Sequence, residues 1–217
     1  MADILLSFPR TGSSWTRYIL EYFSGQCVDG YYDKKSVNET IEQNGFEPLF
    51  DIDRQKIFCT MVHDHVDIRG IDRLCLSYRD PVEVIPSYCY SDNHANKATP
   101  IEDFLSNLTT DRLLISASRY ASAISYFKNF NGEKYLLDYD QLMNDPDKAI
   151  KGLTSFFGVA SPRKQKAFMK NYDEHKNIML SYKSMPKHMS VNTSGKTGVI
   201  ADMLPSDVKL MLESVRI

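Results

Sequence analysis

Asp3-Ile4-Leu5-Leu6-Ser7-Phe8-Pro9-Arg10-Thr11-Gly12-Ser13-Ser14-Trp15 is the stretch whose reading decides the fold of this chain. Residues 3–8 read as a short buried strand with Ile4, Leu5 and Leu6 at its core. A Pro-Arg-Thr-Gly-Ser-Ser turn follows, and then a helix. In that helix Trp15, Tyr18, Ile19 and Tyr22 recur at i, i+3, i+4 and i+7, the period of one buried helical face, and Gly25 supplies a stop. A glycine turn running from a strand into a helix N-terminus aims several unpaired backbone N–H groups at one point. The helix dipole makes that point positive, so it is an anion site. Ser13 and Ser14 add hydroxyl donors, and Arg10 adds a permanent charge. The plainer alternative is a capped helix after a tight turn, which needs only one of the two serines. Gly12 is not followed by the Gly-Lys pair of a Walker A loop, which counts against ordinary ATP or GTP hydrolysis.

Working outward, a second strand runs through residues 57–62 and ends at His63-Asp64-His65. A third runs through 74–78 and ends at Arg79-Asp80-Pro81. Pro81 suits the first position of a helix, whereas Pro86 should kink that helix or leave it short. Thr99-Pro100 reads as the opening of another helix, and a longer one covers about 110–128. Residues 135–139 read as a strand, Pro146 opens a helix closed by Gly158, and further helical patterns lie near 162–171 and 205–215. Residues 26–55 are polar and irregular, an excursion over the sheet where an acceptor would be recognised. Strands alternating with helices imply right-handed crossovers. The expectation is one domain over 1–217, a three-layer α/β/α fold with a central, mainly parallel sheet and a phosphate-binding loop after the first strand.

With 217 residues, 42% of them hydrophobic, the chain can bury a core without metal or disulfide staples. A formal net charge of −2 leaves no broad basic face for nucleic acid, so any basic site must be local. The four cysteines, Cys27, Cys59, Cys75 and Cys89, lack CxxC spacing and read as buried free thiols of a reducing compartment. No targeting or membrane-spanning segment is evident, and a cytoplasmic location is expected, a lumenal domain separated from its anchor being the alternative. Sequons at Asn38, Asn107 and Asn192 are of a kind that arises by chance.

Phe8 to Trp15 resembles, position by position, the 5′-phosphosulfate loop of the sulfotransferases that use 3′-phosphoadenosine-5′-phosphosulfate (PAPS), [YF]-P-K-[ST]-G-[ST]-[ST]-W, with Arg10 in place of the lysine. Tyr78 to Tyr88 is similar to that family's 3′-phosphate motif. An Arg at a strand end and a Ser two helical turns later, Arg79 and Ser87, can converge on one phosphate; the plainer alternative pairs Arg79 with Asp80 or another surface acid. Residues 135–146 resemble the family's strand and Y-E-D-L turn, which puts Tyr139 near the base. Residues 180–185 resemble the segment whose aromatic closes over adenine, the place of Tyr182. Ser194, Gly195 and Lys196 look like a reduced form of the R-K-G-x-x-G loop on the 3′-phosphate. The resemblance implies a nucleotide site of Arg10, Thr11, Gly12, Ser13, Ser14, Trp15, Arg79, Ser87, Tyr139, Tyr182, Ser194, Gly195 and Lys196, with Trp15 against adenine. PAPS is then the donor, 3′-phosphoadenosine-5′-phosphate (PAP) the product, and no metal is required.

Sulfuryl transfer needs a general base for the acceptor and a cationic clamp on the departing phosphate. His63 stands where the family has its catalytic histidine, with Met61 in place of a lysine two residues before, and Arg10 serves as the clamp. His65 is the competing candidate, being two residues on and on the same side if the strand continues. His94, His175 and His188 read as structural. Asp64, Asp138 and Asp140 are carboxylates near strand ends able to orient a base. The expectation is transfer from PAPS to a hydroxyl or amine on a small-molecule, glycan or peptide acceptor. A PAPS-binding protein without turnover and a small-molecule kinase are the alternatives, and oligomeric state is left open.

Overall fold

β1 (Ala2–Ser7) is the middle strand of a five-stranded sheet with β2 (Gln26–Gly30), β3 (Asp53–Val62), β4 (Ile71–Tyr78) and β5 (Glu133–Asp138). The order is β2-β3-β1-β4-β5, and every pairing is parallel. The computed structural model describes residues 2–30, 36–63, 70–92, 109–183, 202 and 204–217. Its helices are α1 (Ser13–Ser24), α2 (Val37–Gln43), α3 (Pro81–Asp92), α4 (Thr110–Asn129), α5 (Tyr139–Asn144), α6 (Pro146–Phe156), α7 (Pro162–Lys170), α8 (Tyr172–Lys183) and α9 (Ser206–Glu213).

Strands buried on both faces carry apolar side chains at odd and even positions alike. Leu5, Cys59, Met61, Cys75 and Leu137 face one core, built with Tyr18, Ile41, Leu153, Phe168 and Met179 of the helices. Ile4, Leu6, Val62, Leu74 and Leu76 face the other, built with Val84, Ile85, Tyr120, Ile124 and Leu212. The three-layer α/β/α architecture expected from the sequence is therefore present. β1 lies between β3 and β4. The chain leaves β1 towards β2 and leaves β4 towards β5, so the two connections diverge and open a crevice at the carboxyl ends of β1 and β4.

Three expectations need correction. Residues 26–55 are not all excursion, because they supply the edge strand β2 and the helix α2. Buried polar groups hold these elements in place. The buried Glu21 carboxylate accepts N–H bonds from Val28, Val37 and Asn38 at 3.2, 2.9 and 3.2 Å, and Ser36 and Glu39 form a capping box on α2. Pro86 does not shorten its helix: α3 runs for 12 residues through it, begun by Pro81 and by the Asp80 carboxylate accepting the Val82 N–H at 2.9 Å. The strand expected over 135–139 ends at Asp138, whose side chain accepts from Asp140 and Gln141 and starts α5 at Tyr139. The helix expected at Thr99-Pro100 lies outside the described residues.

All four cysteines are buried and unbridged. Asn38 is buried in the first turn of α2 with its amide donating to the Phe50 carbonyl at 2.9 Å, so that sequon is closed to glycosylation in the folded chain. Among the described residues no helix is long and apolar enough to cross a membrane.

Candidate active site

The loop between β1 and α1 is held by hydroxyl groups. The buried Thr11 hydroxyl donates to the Phe8 carbonyl at 2.7 Å and lies 2.9 Å from the Ser7 hydroxyl. The Thr11 N–H also returns to Phe8, at 3.2 Å, and the Ser77 hydroxyl of β4 donates to the Thr11 carbonyl at 2.7 Å. Thr11, expected among the nucleotide ligands, thus spends its hydroxyl and its N–H on the loop itself and pins that loop to β4. Gly12 then turns the chain with φ 89° and begins α1 with no side-chain cap. The N–H groups of Ser13, Ser14 and Trp15 stand in the first turn, where a helix has no acceptor of its own, and no acidic residue sits in that turn to compete for them.

A residue with a side chain would not fit at Gly12. Its Cβ would stand 2.8 Å from Cδ2 of Tyr139, so the Tyr139 ring closes directly over the loop. The same ring carries the Arg79 guanidinium 4.5 Å above its centroid. Tyr139, placed near the base by resemblance, therefore links the two phosphate motifs.

Arg10 adopts φ 78°, the one non-glycine residue with positive φ among those described. An L-residue there is strained by about 1–2 kcal/mol, a cost met at sites where the surroundings over-determine the backbone. Its Nε donates to Oγ of Ser87 at 3.2 Å, and its carbonyl accepts from the Arg79 guanidinium at 3.3 Å. Burial, with the neighbouring Arg79 charge, lowers the Arg10 pKa to about 10, while Tyr139 acts the other way. The Arg10 guanidinium thus stays charged at neutral pH. Like charges held this close attract an anion between them.

Arg79 is fixed at backbone and side chain. Its N–H donates to the Tyr120 hydroxyl at 3.1 Å, and that hydroxyl donates to the Arg79 carbonyl at 2.6 Å. Burial pushes the Tyr120 phenol well up, so it remains a donor. The guanidinium meets the Glu83 carboxylate at 2.7 Å, an i,i+4 pair. Asp80 is not its partner: that carboxylate binds Arg216 at 2.7 Å. Ser87 is fully buried two turns into α3, beside Arg10.

His63 directly follows β3. Its Nδ1 lies 2.6 Å from the carbonyl oxygen of Ser7. A carbonyl can only accept, so Nδ1 carries the hydrogen, and the neutral ring keeps its lone pair on Nε2. Among the described residues, a backbone carbonyl at the end of β1 orients the histidine. Asp138 caps α5, while Asp64 and His65 lie outside the described residues. Ser194, Gly195 and Lys196 lie outside them too, as does the side chain of Tyr182, a residue of the last turn of α8. Trp15 is buried, stacked on Tyr18 at 5.4 Å and set edge-to-face with Tyr172 at 5.9 Å. His175 is structural, as expected. It is buried with Nδ1 2.8 Å from the Tyr18 hydroxyl and stacked 4.3 Å from Phe168, and burial lowers its pKa to about 4.

Tyr120 and Ser7 are the positioning residues that sequence reasoning missed, and neither carries a local signal. Glu83 had one, its i+4 spacing from Arg79. At the opposite, amino end of the strands a cavity of about 750 Å³ is lined by Asp3, Asp72, Glu133 and Arg73. Its arginine is paired with Asp3 and its other charges are acidic, so it repels a polyanion. No group of three or more metal-ligating side chains occurs among the described residues.

No protein-family model matches the sequence, and no curated protein matches it. The structure is similar to a crystal structure of mouse sulfotransferase SULT7A1 complexed with PAP, with a TM-score of 0.61 and 13% sequence identity, covering 99% of this chain and 81% of that one. The fold of this chain is the sulfotransferase fold.

Proposed function

We propose that the chain is a PAPS-dependent sulfotransferase. The observation that carries this reading is the convergence of Arg10, Arg79 and Ser87 beside the uncapped N-terminus of α1, with a tautomerically fixed His63 on the neighbouring strand end. The residues fit the cosubstrate. The αL turn at Gly12 lets backbone N–H groups approach a 5′-phosphosulfate, and the Arg79–Ser87 pair suits the 3′-phosphate that separates PAPS from ATP. On this reading the base lies against Trp15 and Tyr139, as the resemblance implies.

In the proposed reaction the acceptor oxygen attacks sulfur in line with the bond to the 5′-phosphate. His63 Nε2 takes the acceptor proton as the new O–S bond forms. The old S–O bond breaks with its electron pair leaving on the phosphate of PAP, where Arg10 and the first-turn N–H groups of α1 offset the growing charge. Arginine supplies charge and a planar fork but no transferable proton, so the phosphate departs as its anion. The acceptor is proposed to be a small molecule, glycan or peptide bearing a hydroxyl or amine.

A PAP-binding protein without turnover is the second reading. It is favoured by one observation: the Arg10 side chain is directed to Ser87, on the 3′-phosphate side. Calorimetric titration with PAP, ATP and AMP tests both. Preference for PAP that is lost in Arg79→Ala supports the nucleotide site, and sulfuryl transfer from PAPS to a panel of phenols, sugars and tyrosyl peptides then separates enzyme from binder. ATP binding as tight as PAP, or magnesium-dependent ATP turnover, sinks the reading in favour of a kinase.

A further inference from the structure

Tyr172 opens α8 and belongs to none of the motifs that resemble the sulfotransferases. Its hydroxyl oxygen is buried, and among the described residues nothing accepts its hydrogen. Its ring stands perpendicular to Trp15, at 72°, with centroids 5.9 Å apart. Phe168 flanks the pair, and Lys176 lies 5.9 Å from the Tyr172 ring centroid. Burial raises the Tyr172 pKa, and the Trp15 indole N–H and the nearby Tyr139 are among the groups acting on it. An indole N–H only donates, so even its approach leaves the phenolic hydrogen without an acceptor. A buried hydroxyl in that state is destabilising in the free protein, and native structures rarely keep one without a reason.

We infer that the Tyr172 hydroxyl reads the edge of the adenine ring, donating to one of its ring nitrogens when the nucleotide lies against Trp15. The inference rests on the proposed nucleotide site and adds to it a determinant of base specificity. The geometry supplies the logic. Stacking on Trp15 is tolerant of any base, because every base has an apolar face. A donor held perpendicular to the tryptophan can tell bases apart by where their acceptors lie. A donor with no competing partner loses nothing on binding the right base, whereas a base lacking the acceptor leaves it buried and unmet.

The test is calorimetry on wild type and Tyr172→Phe with PAP and with its 1-deaza, 3-deaza and 7-deaza analogues, alongside thermal unfolding without ligand. Tyr172→Phe should bind PAP about fivefold to tenfold more weakly, the loss of one buried hydrogen bond. Its melting temperature without ligand should be unchanged or raised. One deaza analogue should bind wild type as weakly as PAP binds the variant, and that analogue should no longer distinguish wild type from variant. Equal PAP affinity in the two proteins, or an equal loss for PAP and all three analogues, overturns the inference while leaving the nucleotide site standing. No PAP binding by wild type overturns both.

Discussion

Arg10 and Ser87, 77 residues apart in sequence, are joined by a 3.2 Å hydrogen bond that ties the loop after β1 to the second turn of α3. One residue comes from the motif expected to hold the 5′-phosphosulfate and the other from the motif expected to hold the 3′-phosphate. On the proposed reading, the bond makes the two ends of a bound nucleotide energetically dependent on each other. Ser87→Ala should weaken PAP binding by about tenfold, the loss of a hydrogen bond to a charged group. Arg10→Ala with Ser87→Ala should fall short of the sum of the single changes by about 0.5–3 kcal/mol. Strict additivity in calorimetric titrations would show that the contact has no part in binding.

Gly12→Ala places a methyl group 2.8 Å from the Tyr139 ring at a backbone φ of 89°. Both effects act against it, and the strain alone is about 1–2 kcal/mol. Melting temperature and PAP affinity should fall together. Adding Tyr139→Leu should recover part of the stability, because it removes the clash and leaves the φ strain. A double variant no more stable than Gly12→Ala would mean that the ring is not what the methyl meets.

His63→Gln keeps a side-chain N–H able to reach the Ser7 carbonyl but removes the basic nitrogen. PAP affinity should change by less than about twofold, and single-turnover transfer from PAPS should drop by about 10²–10⁴. Retained transfer would move the base elsewhere. Lost nucleotide binding would make His63 a structural residue.

His175 governs an acid-sensitive part of the fold. Burial lowers its pKa to about 4 from the ordinary 6.5, so the unfolded chain takes up its proton first as the pH falls. The stability from the neutral ring is full above about pH 6.5 and is lost progressively towards pH 4. Glu21, raised to about 7 by burial, pulls the other way, since the folded chain takes up that proton first. Comparing wild type with His175→Gln isolates the histidine. The difference in melting temperature should shrink as pH falls from 7 to 4, and a constant difference would rule the titration out.

The strand, turn and helix around Phe8 to Trp15 were legible because each signal there is local: an apolar run, a glycine, then a 3.6-residue period. β2 was not legible. Only Cys27, Val28 and Gly30 of its five residues are buried, and its pairing with β3 is set by tertiary contact. In the site, residue types suggested Arg10 for a 5′-phosphosulfate and Arg79 with Ser87 for a 3′-phosphate, whereas the Arg79–Glu83 ion pair was not anticipated, although its i+4 spacing was there to be read. Sequence left open which oxygen each donor would meet. Thr11 looks like a ligand until the Phe8 carbonyl is seen beneath it, and the Tyr120 clamp on Arg79 spans 41 residues. Hydrogen-bond partners brought together by strand order leave no mark in a linear pattern.

Ser7 has a consequence for how such a protein could be re-engineered. Its carbonyl holds the His63 ring and its hydroxyl lies against that of Thr11, so one residue sets the spacing between His63 and the loop after β1. On the proposed reading, residues on the β2 side of the sheet could be exchanged to admit a new acceptor while Ser7 keeps the chemistry in register.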